Sequence, residues 1–346
     1  MPITGYNLND QYAIVTFVSA SQRLQMQKTK TNKLRSFLKL ILWVVVVQLV
    51  LVNITAAIYA HKFTHFYKGD PPEYVAKKDI FTRTWKIFSG PKFYKQTIKE
   101  RPSFDFQPVR LRTEDDNTID AWYGETDSAK GCVIFLHGIT VNKTVLLDEA
   151  TAILQMGYNV LLIDFRGHGN STGLNTTLGY KETREVQSAF NFAKSVKAPK
   201  IILYGSSLGA VVALKAVSDG LVKPDGIIAD MPFDALQDHL EAKARIVGFP
   251  PQPFAFMVTM WISVLRGYNG FSHKASNYAK NVNCPVLLQW GAQDVYVQQK
   301  ETEHIYNALP SNRKKLVVYE EADHESFFRK DPFTWRSEVG SFLSSL

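Results

Sequence analysis

Gly205-Ser206-Ser207-Leu208-Gly209 follows the apolar run 201–204 and precedes a helix-forming stretch, 210–217. A strand, a glycine-flanked serine and a helix together describe a tight elbow that lifts a serine hydroxyl above a sheet edge. Small residues are required two before and two after the serine because strand and helix nearly collide there. Ser207 is the candidate nucleophile. In a chain with 20 glycines the pattern also arises by chance, so it needs partners to carry weight.

A serine hydroxyl needs a base within hydrogen-bond reach, and the base needs a third group to fix its tautomer. Downstream, the strand-like run 285–290 ends in Gly291-Ala292-Gln293-Asp294. The run 315–319 is followed by Glu320-Glu321-Ala322-Asp323-His324. Both Asp294 and His324 thus fall just past the carboxyl ends of predicted parallel strands, the edge where ligands sit in open α/β sheets. Taken singly, an aspartate after a strand is a cap or turn residue and a loop histidine is solvated. In the order serine, acid, histidine they form a triad. Asp230, ending the strand 226–229, is the second choice for the acid. Asp323 adjoins His324, where two side chains rarely meet with the needed geometry. His239, His273 and His304 read as surface or packing residues.

Acyl transfer also needs donors aimed at the oxyanion. The N–H of Leu208 is one. The other is expected from the loop after the strand 132–136, where His137-Gly138-Ile139-Thr140 offers the N–H of Ile139. His137 reads as a structural residue of that loop. Asp164-Phe165-Arg166-Gly167-His168-Gly169 reads as scaffold beneath the site, with Asp164 and Arg166 holding the turn by charge-assisted hydrogen bonds.

These groups require an alternating frame. Strands are predicted at 109–112 and 119–123 as a hairpin, then at 132–136, 160–163, 201–204, 226–229, 286–290 and 315–319. Helices are predicted at 144–156, 181–196, 208–218, 297–308 and 333–345. Such alternation specifies a mainly parallel sheet covered on both faces. An insert at about 232–283 carries Pro250-Pro251 and a strongly apolar run, 254–265. Phe254, Phe256, Met257, Met260 and Trp261 either line a greasy substrate pocket or pack the insert itself.

The His137-Gly138 pair, the 164–171 turn, the 205–209 elbow, Asp294 and His324 together resemble the α/β-hydrolase superfamily over residues 105–346. The chain is most similar to its membrane-anchored α/β-hydrolase-domain proteins and the related serine aminopeptidase-like group. The resemblance implies an α/β-hydrolase fold in which the insert is a short helical lid over the serine. It also implies hydrolysis of esters, thioesters or amides, including lipid and acyl-protein substrates.

Residues 40–60 carry no formal charge. At 1.5 Å per residue they would cross about 30 Å of hydrocarbon as a single-pass transmembrane helix. A cleaved signal peptide is the rival. Residues 1–39 read as a basic segment, disordered or loosely helical, with six basic groups and one acid, Asp10; 61–104 read as a linker. Six basic residues precede the span (Arg23 to Lys39) and four follow it (Lys62, Lys68, Lys77, Lys78), which points the N-terminus to the cytoplasm and the catalytic domain to the periplasmic or extracytoplasmic side. The formal charge of +8 is concentrated in the first 39 residues, so it suits lipid head groups and gives no ground for nucleic-acid binding. The mixed basic and aromatic stretch 83–101 either lies on a bilayer or packs beside the domain. Cys132 starts one predicted strand and Cys284 precedes another that the resemblance places several positions away, which argues against a disulfide; no Cys/His spacing suggests a metal or cofactor.

The expectation is a serine hydrolase that cleaves a carboxylic ester or thioester, with a small-molecule or lipid acyl substrate. An amidase or peptidase using the same triad is the alternative. A non-catalytic, membrane-tethered binding module is a third reading, whose usual mark is a missing triad member.

Overall fold

The computed structural model describes residues 8–69, 89–246, 248 and 250–346. Part of the expected linker, with Pro71-Pro72 and the first residues of the basic-aromatic stretch, lies outside them.

The chain divides into two units, residues 1–54 and 55–346. Helix α1 (Leu8–Thr64) contributes to both. Among the described residues the basic segment is helical from Leu8 onward; Gln, Leu, Met, Lys and Arg dominate residues 22–35 and lose little rotamer freedom in a helix. In the first unit the large apolar side chains from Phe37 to Leu51 are exposed on every side, as is Ile54. A run of that kind, at about 1.5 Å per residue, matches the thickness of a bilayer core. Helix α1 is long and apolar enough to cross a membrane by length and composition. At the end of the apolar stretch 40–60, Ala56, Tyr59 and Ala60 are buried in the second unit. There they join a cluster with Leu240, Phe254 and Val258.

The second unit is built on one eight-stranded sheet: β1 (Phe106–Arg112), β2 (Thr118–Gly124), β3 (Cys132–Leu136), β4 (Asn159–Ile163), β5 (Ile201–Ser206), β6 (Gly226–Asp230), β7 (Val286–Gly291) and β8 (Lys314–Tyr319). The order is β1-β2-β4-β3-β5-β6-β7-β8. β2 is antiparallel to both β1 and β4, and the remaining pairs are parallel. β3, β6 and β7 are buried at every position. That is what continuous apolar strands covered on two faces require.

Helices α2 (Leu147–Gln155), α3 (Thr183–Ser195), α4 (Leu208–Ser218), α8 (Gln299–Ala308), α9 (Phe327–Lys330) and α10 (Pro332–Ser345) connect or follow the strands. Two apolar clusters result. One packs α3 and α4 against the sheet through Val186, Val211 and Leu214. The other packs α2 and α10 on the opposite face through Ile153, Trp335 and Val339. Each such aliphatic or aromatic side chain contributes roughly 1.5–3 kcal/mol on burial. Between β6 and β7 the insert folds as α5 (Leu236–Ile246), α6 (Pro251–Arg266) and α7 (Ala275–Ala279). Cys132 and Cys284 are free thiols.

Candidate active site

Ser207 sits between β5 and α4 with φ at +52°. A non-glycine residue rarely adopts that conformation, and its neighbours explain how this one does. A Cβ at Gly209 would lie 2.0 Å from the Leu136 carbonyl oxygen, and one at Gly205 would lie 2.4 Å from the Ala210 nitrogen. The elbow can close only because both positions lack a side chain. The Ser207 N–H donates to the Asp230 carbonyl at 2.8 Å, tying the turn to the next strand.

His324, in the loop after β8, reaches Ser207. Its Nε2 lies 3.1 Å from the Ser207 Oγ, and its Nδ1 lies 2.7 Å from Asp294 Oδ2. A carboxylate can only accept, so Nδ1 carries the hydrogen and Nε2 is left to accept from the serine hydroxyl. The side chain of Asp294 is fully buried. Its Oδ1 accepts from the N–H groups of Tyr296 and Val297 at 2.8 and 2.9 Å. One oxygen thus anchors the acid to its own loop and the other aims the imidazole.

Asp323, set aside on sequence, has a part beside this relay. Its Oδ1 accepts from the His324 N–H at 2.7 Å and from the Val295 N–H at 3.2 Å. The side chain bridges the loop bearing the histidine and the loop bearing the acid. Asp230, the second-choice acid, points elsewhere. It accepts from the Tyr204 hydroxyl and, at 2.7 Å, from Gln289 Nε2. Burial pushes its carboxyl up to about 7, against the lowering effect of those two bonds.

The N–H groups of Leu208 and Ile139 have no hydrogen-bond partner among the described residues. In the same loop the Thr140 N–H is already engaged, 3.3 Å from His168 Nε2. His137 is buried: Nδ1–H donates to the Gly138 carbonyl at 2.7 Å and Nε2 accepts from the Phe165 N–H at 3.0 Å. Burial, with His168 nearby, lowers its pKa well below the usual imidazole value. It holds the loop as a neutral ring.

In the turn after β4, Asp164 Oδ2 accepts from the Asn170 N–H at 3.0 Å. Asp164 also pairs with Lys143: the fully buried Lys143 Nζ lies 2.6 Å from both Asp164 Oδ2 and Asp120 Oδ2. Its ammonium also faces the Trp122 ring at 4.4 Å. Arg166 bridges Glu185 and Asp115. The first of these networks pins the start of the helical segment after Ile139 to the sheet.

A cleft of about 310 Å³ opens at Ser207. Ile139, Met231, His239, Lys243 and Tyr296 are among its walls. None of the five apolar insert residues named as candidates for a substrate pocket borders it. Phe254 is buried against Tyr59, with ring centroids 5.0 Å apart. Phe256 is half exposed beside Phe271. Met257 and Trp261 pack against the apolar cluster joining the insert and the end of α1, and Met260 is partly buried on α6. His239 and Lys243 of α5 were missed as pocket residues. The signal was their four-residue spacing, which puts them on one helix face.

Comparison with known proteins agrees with this architecture. Residues 127–264 and 253–331 match the profile of the serine aminopeptidase S33 family of hydrolases. An esterase of Pyrococcus furiosus, Pf2001, superposes with a TM-score of 0.61 at 26% identity, covering 72% of this chain and 98% of that one. YqkD, an uncharacterized protein of Bacillus subtilis, is 29% identical over 224 residues, 62% of this chain and 71% of its own. The lysophosphatidylserine lipase ABHD12 of Danio rerio is 23% identical over 202 residues, 56% of this chain and 51% of its own. The chain belongs to the serine aminopeptidase S33 family, within the α/β-hydrolase superfamily.

Proposed function

We propose that this hydrolase-family protein is a serine hydrolase that cleaves a carboxylic ester or thioester with an apolar acyl part. The observation that carries the reading is the unbroken relay from the Ser207 hydroxyl through the His324 ring to the Asp294 carboxylate. His324 Nε2 takes the hydroxyl proton as Oγ attacks the substrate carbonyl carbon. The N–H groups of Leu208 and Ile139 stabilise the oxyanion. Collapse expels the alcohol or thiol, which takes the proton back from His324 and leaves an acyl-serine. Water, deprotonated by the same nitrogen, releases the acid. The imidazolium formed in each step is stabilised by Asp294. The esterase and lipase among the similar proteins favour an ester over an amide. The family's own description keeps aminopeptidase chemistry as the second reading, served by the same triad.

We further propose that the apolar part of α1 spans a membrane with its N-terminus cytoplasmic, on the excess of basic residues before it. The insert is proposed as the lid of the site.

A fluorophosphonate probe tests the core of the reading. Wild-type protein should label at a single serine and Ser207→Ala should not. Absence of labelling on folded wild type would favour a binding module. Turnover of p-nitrophenyl acyl esters of graded chain length against aminoacyl amides separates the two chemistries. Preference for amides would reject the ester reading.

A further inference from the structure

Lys243 lies in the last turn of α5, and among the described residues its ammonium has no acidic neighbour. Among the described residues it makes no ion pair or hydrogen bond; its ammonium lies over the face of Tyr296, with Nζ 4.2 Å from the ring centroid. Tyr296 in turn meets the His324 ring edge to face at 5.3 Å. A lysine near a helix C-terminus ordinarily offsets the dipole while its head stays in water. This one folds inward. Burial lowers its pKa and no carboxylate opposes that effect. A ring face compensates such a cation by roughly 0.5–2 kcal/mol, less than it costs to take an ammonium out of water.

The surroundings of Lys243 say what would complete it. The side chain borders the Ser207 cleft on one side. On the other it borders an apolar chamber of about 190 Å³, walled by Tyr59 and Phe63 of α1, Phe93, and Leu240, Phe254 and Val258 of the lid. A cation at the meeting of a hydrolytic cleft and an apolar chamber fits an anion that carries an apolar tail. The neutral ester itself offers no such charge. The acid released from it does.

We propose that the chamber and the Lys243 ammonium together form a binding site for a long-chain carboxylate, tail among the aromatic rings and head on Lys243, which retains the released acid near Ser207. The origin of that acid rests on the acyl-hydrolase reading. The binding does not, because it requires no turnover.

The test uses the full chain carrying Ser207→Ala, so that nothing is hydrolysed, and displacement of a fluorescent dansyl-undecanoate probe by laurate and by dodecanol in the same detergent. Laurate is expected to displace the probe. Adding Lys243→Met should weaken laurate about 10-fold, the size of one charge-assisted hydrogen bond, and leave dodecanol within about 3-fold. Lys243→Arg should restore laurate binding, which a merely packing role would not require. A bulky Val258→Trp should weaken both ligands by filling the chamber. Equal loss of laurate and dodecanol in the Lys243→Met protein, or laurate binding unaffected by that change, would overturn the proposal. Failure of fluorophosphonate to label Ser207 while laurate still binds through Lys243 would reject the hydrolase reading alone.

Discussion

Asp230 and Asp294 sit at the tips of neighbouring strands, β6 and β7, and both are buried. One faces an imidazole and two backbone N–H groups. The other faces a phenol and an amide. The residue type and the sheet edge are the same; the partners are not. Asp294 lies past its strand, in a turn whose own N–H groups anchor one carboxylate oxygen. Asp230 is the last residue of its strand, with its side chain directed into the face lined by Tyr204, Gln289 and Trp335. A strand-end carboxylate therefore becomes a catalytic candidate when its loop supplies donors and leaves one oxygen free for a histidine. Burial alone produces an acid that resists ionisation.

The hardest test of this contrast exchanges each acid for its amide. Asp294→Asn keeps the shape but donates where the imidazole must donate, so His324 loses its tautomer. The expected loss in kcat for an activated ester is on the order of 10⁴, the size seen when a triad acid is neutralised. Asp230→Asn should stay within about 10-fold of wild type, as expected for a group outside the relay. If the two losses were interchanged, Asp230 would be the working acid, and the geometry of the relay would not describe the active enzyme.

Asp323 sharpens the contrast from the other side. It touches no reacting atom, yet it joins the Val295 and His324 backbones. Asp323→Ala should lower kcat by roughly 10-fold while KM for a short ester holds, since a positioning bond rather than substrate contact is lost. Asp323→Asn, which keeps an accepting oxygen, should recover most of the rate. A rise in KM without a fall in kcat would assign the side chain to substrate binding instead.

The same contrast explains what could be read from the sequence. The sheet was legible because each strand is a short apolar run between turn residues, and the observed bounds differ by a few residues at most. Ser207, His324 and Asp294 were legible because strand ends fix where their loops begin. The lid was not. Helical periodicity gives α6 an apolar face but not the partner of that face. The partner includes Tyr59, in a stretch whose uniform apolarity reads as membrane to its last turn. Burial of Ala56, Tyr59 and Ala60 against the lid follows from tertiary placement, to which composition is blind. Lys143 is a similar case: its pairing with Asp164 joins two loops far apart in sequence, which no local pattern announces.

The smallest expected effect is on rate, and it leaves the clearest signature in stability. Asp230 has an unfolded pKa near the ordinary aspartate value, 3.8, and a folded one of about 7. Between those pH values the folded protein holds a proton there that the unfolded chain has lost. Stability must then fall as pH rises across that window, since the unfolded state binds fewer protons. Glu185, also raised to about 7 by burial, adds to the same slope. Asp230→Asn cannot ionise, so its share of the slope vanishes while that of Glu185 remains. Urea denaturation of wild type and variant at pH 5 and pH 8 reads this directly. Wild type should lose more stability between the two than the variant does, and the variant should be relatively favoured at the higher pH. Parallel losses would mean that Asp230 is ionised in the folded protein at neutral pH, with Tyr204 and Gln289 solvating it well enough to offset burial. The two strand-end acids would then differ only in which neighbour they face.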